Sequence, residues 1–425
     1  MRPVYLDPAA NPRLVIASYM TDAPAAAPII ANRLRRLIRS SGGIGASPCR
    51  AGRALHGEHP LCNQRAWQAR RGRCRLRAVE PVIAVEFRDY SLVGREAARA
   101  EQRGLAQARG YCCALPGGQL RQLMQRRDAP ALRDTAIWLG ALAISGTLGV
   151  YFWGSWAAVP CFAVYGTLYG SAADSRWHEC GHRTAFRTRW LNALVYQIAC
   201  FMLLREPTLW RWSHTRHHTD TLIVGRDPEI AVPRPPKLTH LALNLVALRS
   251  TAISLRTLLL HARGGLTAEE RCFIPPRERW KLRWVALGWL AILAAVAAAC
   301  LATRSLLPAM LVGLPTLYGA WMLQFFGLTQ HAGLAEDVLD HRLNCRTIYM
   351  NRVFRFLYLN MNYHLEHHMF PMVPYHALPR LHELIRSDCP PPYPSCWAAY
   401  REIIPALLRQ RHDPRWQVTR PLPGT

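Results

Sequence analysis

His178-Glu179-Cys180-Gly181-His182, His214-Thr215-Arg216-His217-His218 and His364-Leu365-Glu366-His367-His368 are the three stretches around which this sequence is organised. Histidines at i and i+4, or at i, i+3 and i+4, stand on one face of a helix, so each stretch can aim two or three imidazoles at one point. Neutral imidazole is a common ligand for zinc, iron, copper and nickel. One such pair arises by chance on an exposed helix. Three of them at the ends of hydrophobic stretches point to a metal site rather than to solvated or core histidines.

The flanking sequence explains where the boxes fall. Asp134 to Trp153 is almost free of charge, and about twenty helical residues rise roughly 30 Å, the thickness of a bilayer core. Gly154 and Ser155 make a turn, Trp156 to Ala173 is apolar again, and the first box follows directly. A second hairpin runs from Trp284 to Thr303, turns at Arg304, and returns over Leu306 to Leu328, interrupted by Gly313, Pro315 and Gly319 as membrane helices tolerate. Residues 190–204 are apolar but short, which suits a buried or interfacial helix. Residues 225–237 read as a proline-rich surface loop, and Leu238 to His261 as one amphipathic helix lying on the membrane. The expected fold class is all-α and integral to a membrane. Four spans (134–153, 156–173, 284–303 and 306–328) form two hairpins under a cytoplasmic helical cap that holds the histidines.

Charge sets the orientation. The net charge is +26, nearly all of it arginine, with lysine at Lys237 and Lys281. The two hairpin tips carry one arginine between them while the other flanks are arginine-rich, so the positive-inside rule places the tips outside and every box at the cytoplasmic face. The basic balance then serves topology and lipid headgroups, and no nucleic-acid partner is expected. Thirteen cysteines with no Cys-x-x-Cys pair argue against a zinc ribbon or a disulfide framework. Residues 1–85 are arginine-rich without period and read as a disordered, dispensable extension with no secretory signal. The folded domain is expected over 86–400, with 401–425 as a C-terminal tail.

Two other chemistries compete at the boxes. The first box matches His-Glu-x-x-His, the zinc-protease helix, with Glu179 as candidate general base. A catalytic zinc needs three protein ligands, however, and the boxes offer eight histidines, with His331 after the last apolar run as a ninth. That number suits two metals in one enclosed site. A metal transporter would need ligands within the spans, whereas these cluster at span ends. The Glu and Glu-x-x-His pattern of carboxylate-rich di-iron bundles is missing.

Two hairpins, boxes of the forms HxxxH, HxxHH and HxxHH, and Met369-Phe370-Pro371 after the third box resemble the membrane fatty acid desaturase family over roughly residues 88–400. The resemblance implies a non-haem site of two iron ions. With oxygen and two external electrons, such a site introduces a double bond into a lipid acyl chain. Its iron ligands would be His178, His182, His214, His217, His218, His364, His367 and His368, with His331 added. The surroundings of the first and third boxes are similar to a bacterial branch containing the rhizopine-catabolism hydrocarbon oxygenase and the rhizobitoxine-pathway desaturase. That branch implies the alternative of a hydroxylase, O-demethylase or desaturase acting on a small polar metabolite. The chain carries no haem, flavin or iron–sulfur motif, so a ferredoxin, of Rieske type as the branch implies, and its reductase would supply electrons. They would dock on cytoplasmic arginines such as Arg211, Arg216, Arg226 and Arg352. The location implied is a bacterial inner membrane, with the metal site facing the cytoplasm.

Asp174, Glu179, Asp220, Asp227, Glu229, Asp337 and Glu366 are candidates to orient the imidazoles from behind. Asn360 and Asn362 are candidates for a metal-bound water. Trp153, Trp156, Trp177, Trp212 and Trp284 are candidates for an interfacial belt.

Overall fold

The computed structural model describes residues 88–106 and 110–423. The arginine-rich stretch expected over 1–85 lies outside them. The described residues are helical, with two isolated bridges, Thr347 to Tyr363 and Ile348 to Tyr393, in place of strands. Two short helices, α1 (Arg95–Gln102) and α2 (Gly117–Leu123), lead into α3 (Asp128–Tyr151) and α4 (Ala158–Gly170). These two pack as a hairpin. Gly146 lies under Tyr165, Gly149 lies under Phe162, and the Trp138 indole donates to the Leu168 carbonyl at 2.9 Å.

The expected span to Ala173 ends early. At Ser171 the backbone leaves helical geometry, and α5 (Ala172–Gly181) starts in a new direction with the first box on it. Next comes α6 (Arg189–Met202), which buries Asn192, Val195, Tyr196, Ala199 and Cys200 and exposes Trp190 and Leu194. Its 14 residues reach roughly 21 Å, short of a crossing, as the sequence suggested. The second box lies on α7 (Pro207–Thr219).

The amphipathic stretch Leu238 to His261 is two helices rather than one. α8 (Leu238–Leu245) and α9 (Leu248–Ala262) meet at 83°, with Ala247 at φ +46 between them. Leu243, Leu245, Leu248, Ile253 and Leu259 are exposed, while His261 is buried against Glu270 of α10 (Ala268–Phe273). Then α11 (Arg279–Thr303), with the short turn before it, makes an apolar rod over Pro276–Thr303. Among the described residues it is the one helix both long and apolar enough to cross a membrane, or one of two if the bent pair is a single broken span. α3 matches it in length but opens with Asp128, Arg133 and Asp134, which shorten its apolar run.

The expected fourth span is not continuous. Leu306 to Leu328 breaks into α12 (Leu307–Leu311), α13 (Pro315–Tyr318) and α14 (Trp321–His331). Pro308 and Pro315 lack the N–H a helix interior needs, and Gly313 adopts φ +96. Near Gly319 the chain presses on α4: a Cβ there would land on the Gly166 carbonyl oxygen. The freed polar groups find partners. Tyr165 and Tyr318 hydroxyls donate to the Leu311 and Met310 carbonyls at 2.8 Å.

The remaining helices are α15 (His341–Asn344), α16 (Arg352–Leu357), α17 (His364–Met369) with the third box, α18 (Leu378–Ile385) and α19 (Cys396–His412). Residue 400, the expected edge of the domain, falls inside α19, which buries Ile403, Ala406 and Leu407. Beyond it Arg420 donates to the carbonyls of Arg342 and Cys345. The last residues described therefore belong to the packed body.

The contact of Gly319 with backbone gives a direct test. Gly319→Val should cost about 3 kcal/mol or more, since the clash is with main chain and cannot be relieved by a rotamer change. Gly140→Ala, whose new methyl meets open space, should be neutral or slightly stabilising. Thermal unfolding of the purified protein measures both, and equal midpoints would refute the close approach.

Candidate metal centre

Each box is carried on a helix whose start is fixed. Glu206 caps α7, accepting from the Leu209 N–H at 2.6 Å, and Pro207 occupies the first turn, where its missing N–H costs nothing. α5 is held by Arg176, wholly buried between the rings of Trp138 and Phe356. Its guanidinium donates to the carbonyls of Ala172, Phe356 and Leu357. Burial lowers its pKa to about 10. That side chain ties the first box to the chain just before the third.

The nine predicted histidines all meet, and they separate into two groups. His178, His182, His214, His218 and His367 form one; His217, His331, His364 and His368 form the other. Within each group the ligand atoms lie within 4.8 Å of one another. The close approaches are between Nε2 atoms: 2.7 Å for His178 to His367, 3.1 Å for His182 to His214, 3.1 Å for His214 to His218, and 2.9 Å for His331 to His364. His214 Nε2 is within 3.3 Å of three other ring nitrogens. A neutral imidazole has one proton and cannot satisfy three nitrogens by hydrogen bonding. Several lone pairs converging on one point need a cation, and imidazole nitrogen suits a first-row transition ion.

In four of the imidazoles the other ring nitrogen shows which proton is kept. His214 Nδ1 donates to Glu229 and His217 Nδ1 to Asp227, both at 2.9 Å. His331 Nδ1 donates to the Asn344 carbonyl at 2.7 Å. The Thr221 hydroxyl gives its proton to the His217 carbonyl, so it accepts from His368 Nδ1, 3.1 Å away. All four leave the Nε2 lone pair facing inward. Nδ1 of His182, His218, His364 and His367 is buried without a partner among the described residues, a cost of about 1–3 kcal/mol each.

Charge follows the same pattern. Burial, then mutual repulsion, holds His178, His214, His218, His364 and His368 well below the usual histidine pKa; His367 is also far below, and His182 falls to about 3. His217 is the exception: burial pulls it down, but the Asp227 carboxylate raises it overall.

Of the seven carboxylates proposed to orient the box imidazoles, Asp227 and Glu229 do so, while Glu366 accepts from His382 instead. Asp174 pairs with Arg205, Asp220 with Arg216 and Arg226, and Asp337 with Arg88 and Arg103. Glu179 turns away from the imidazoles, accepting from the Thr184 hydroxyl at 2.6 Å and the Tyr375 N–H at 3.1 Å. Burial raises it to about 7. A protease base must face the metal-bound water, so this placement opposes the zinc-protease reading. Asn360 and Asn362 donate to the carbonyls of Tyr375 and Ile348, and Asn362 Oδ1 is buried without a partner among the described residues. Trp177 is buried with its ring 5.2 Å from that of His214, so it belongs to the site wall and not to a membrane belt. Trp156 and Trp284 are exposed, as a belt requires.

Residues 153–400, more than half of the chain, match the fatty acid desaturase family. The chain belongs to that family. Among curated desaturases it is 31% identical over 101 residues to the sn-1 oleoyl-lipid 12-desaturase of Synechocystis, covering 24% of this chain and 28% of that one. It is 36% identical over 75 residues to the Delta(12)-acyl-lipid-desaturase of Punica granatum, covering 17% and 19%. It is 26% identical over 243 residues to a probable fatty acid desaturase of Sorghum bicolor, covering 53% and 62%. In each case the match spans less than two thirds of the relative's own length.

Behind the second imidazole group lie residues that sequence reasoning missed. His341 and Cys345 approach His368 closely enough to form a third, smaller donor set, and Asn344 and Thr221 hold ligand Nδ1 atoms. Residues 341–345 precede the third box by some twenty positions with no periodic link to it, so only the fold reveals them.

The depressed histidines predict a pH response in this desaturase-family chain stripped of metal. Unfolded histidine takes up a proton near pH 6.5, whereas the buried ones resist until far lower, His182 to about 3. The unfolded state therefore binds more protons below pH 6.5, and stability must fall as the pH drops through that window. Thermal midpoints of the chelator-treated protein between pH 8 and pH 5 should decline. A flat profile would show that the imidazoles are not buried as described.

Proposed function

We propose that this chain is an oxygen-dependent desaturase that introduces a double bond into the acyl chain of a membrane lipid. The observation that carries the proposal is the separation of nine inward-facing imidazoles into a group of five and a group of four. The family assignment and the acyl-lipid desaturases among the relatives support the substrate class. Two iron ions fit the donors: His178, His182, His214, His218 and His367 would hold one, and His217, His331, His364 and His368 the other. When bound, such an iron pair supplies oxygen activation strong enough to take hydrogen from an unactivated C–H bond.

The chain's own residues do the rest. Glu229 and Asp227 accept Nδ1 protons and keep His214 and His217 oriented as donors. Trp177 closes the wall beside His178 and His214, and the buried setting excludes water from the site. The apolar surfaces of α3, α8, α9 and α11 would face lipid. We place the two hairpins across a bacterial inner membrane, with α12 to α14 acting together as a broken fourth span and the imidazoles at the cytoplasmic side. Broken helices are tolerated at membrane depth where protein satisfies the freed groups, as Tyr165 and Tyr318 do here.

Electrons would come from a ferredoxin and its reductase. Of the candidate docking arginines, Arg216 and Arg226 pair with Asp220 and Arg211 lies on the Tyr196 ring, while Arg352 is exposed.

Cells expressing the chain with a ferredoxin and its reductase should accumulate an acyl product lacking one pair of hydrogens, read by lipid mass spectrometry. His217→Ala should abolish that product while membrane insertion stays intact. Product formation undiminished in His217→Ala would remove the second box from the site, and an unchanged lipid profile with a new polar metabolite would redirect the substrate.

A further inference from the structure

The third box sits on a helix that cannot hold itself. α17 has six residues, and isolated helices shorter than roughly 12–15 residues are marginal even with favourable sequences. Yet it must present His364, His367 and His368 at one rotation. At roughly 100° per residue, Glu366 projects on the side of α17 away from His364 and His368. Its carboxylate is fully buried. It accepts from the Thr347 hydroxyl at 2.6 Å and from Nδ1 of His382 on α18 at 2.5 Å. His382 is itself 2% exposed, and its Nε2 meets the Tyr349 hydroxyl at 3.0 Å.

We propose that His382 is a positioning residue for the metal centre: by binding Glu366 from behind it sets the rotation of α17 and so aims the third box. The inference rests on the di-iron reading. The box ligands are not shared evenly, and this makes the consequence specific. α17 supplies two of the four imidazoles in one group, His364 and His368, but one of the five in the other, His367. Freeing α17 therefore leaves the five-membered group with four donors and the four-membered group with two. The smaller group should lose its iron first.

The test is metal analysis of the purified full-length chain with His382 replaced by either amide. In His382→Asn the amide N–H stands where Nδ1–H stood and can still donate to Glu366. In His382→Gln the longer amide reaches the position of Nε2 toward Tyr349 and leaves Glu366 without that donor. Iron per chain should stay near the wild-type value in His382→Asn. It should fall about twofold in His382→Gln, with the Mössbauer signal of one iron environment lost and the gel-filtration profile unchanged. His382→Leu should follow His382→Gln. Equal iron in the two amide variants, or full iron in His382→Leu with an unaltered spectrum, overturns the inference and leaves the di-iron reading standing. Wild-type protein that takes up no iron overturns that reading, and this inference with it.

Discussion

Nine imidazoles confined to one buried volume impose the constraint on which the rest of this structure depends. Protonated, they would repel one another in a medium that screens charge poorly. Neutral and without an ion, they would point lone pairs at lone pairs. For four of them the packing fixes which nitrogen keeps its proton. Two carboxylates, a main-chain carbonyl and a threonine hydroxyl each accept an Nδ1 proton, and every one of these contacts leaves Nε2 free to face the centre.

The helices that carry these residues are short, so their orientation is tertiary in origin. α5 is ten residues long and α17 is six. Arg176 joins the first to the chain before the third box, while Glu179 and Tyr375 join it to the loop after that box. Tyr375 also donates to Asp134 at 2.7 Å, which ties the same loop to the start of α3. The centre is thereby linked to the apolar hairpin through buried polar contacts, and these are specific where hydrophobic packing alone would permit sliding.

Much of this was legible in the sequence and some was not, for identifiable reasons. Helical spacing revealed that His214, His217 and His218 share one side of a helix. It could not show that His217 faces a different partner set from its neighbours, because periodicity within one helix says nothing about the helices opposite. The short α6 was readable because length alone rules out a crossing. The break in the fourth apolar run was only half readable: Gly313, Pro315 and Gly319 marked weak points, but tertiary contact with α4 decides whether a weak point becomes a break. Glu179 was misleading because its motif is local while its partner, Tyr375, is 196 positions away.

The meeting of Gly166 and Gly319 contains no side chain from either residue. Contacts between side chains leave a trace in related sequences, since a larger group on one side can be matched by a smaller one on the other. A contact between two backbones offers no such exchange. A methyl at position 319 strikes the carbonyl of residue 166 whatever that residue is. Among relatives that keep this junction, the position should therefore be invariant without co-varying. Methods that infer proximity from correlated substitution would pass over this approach.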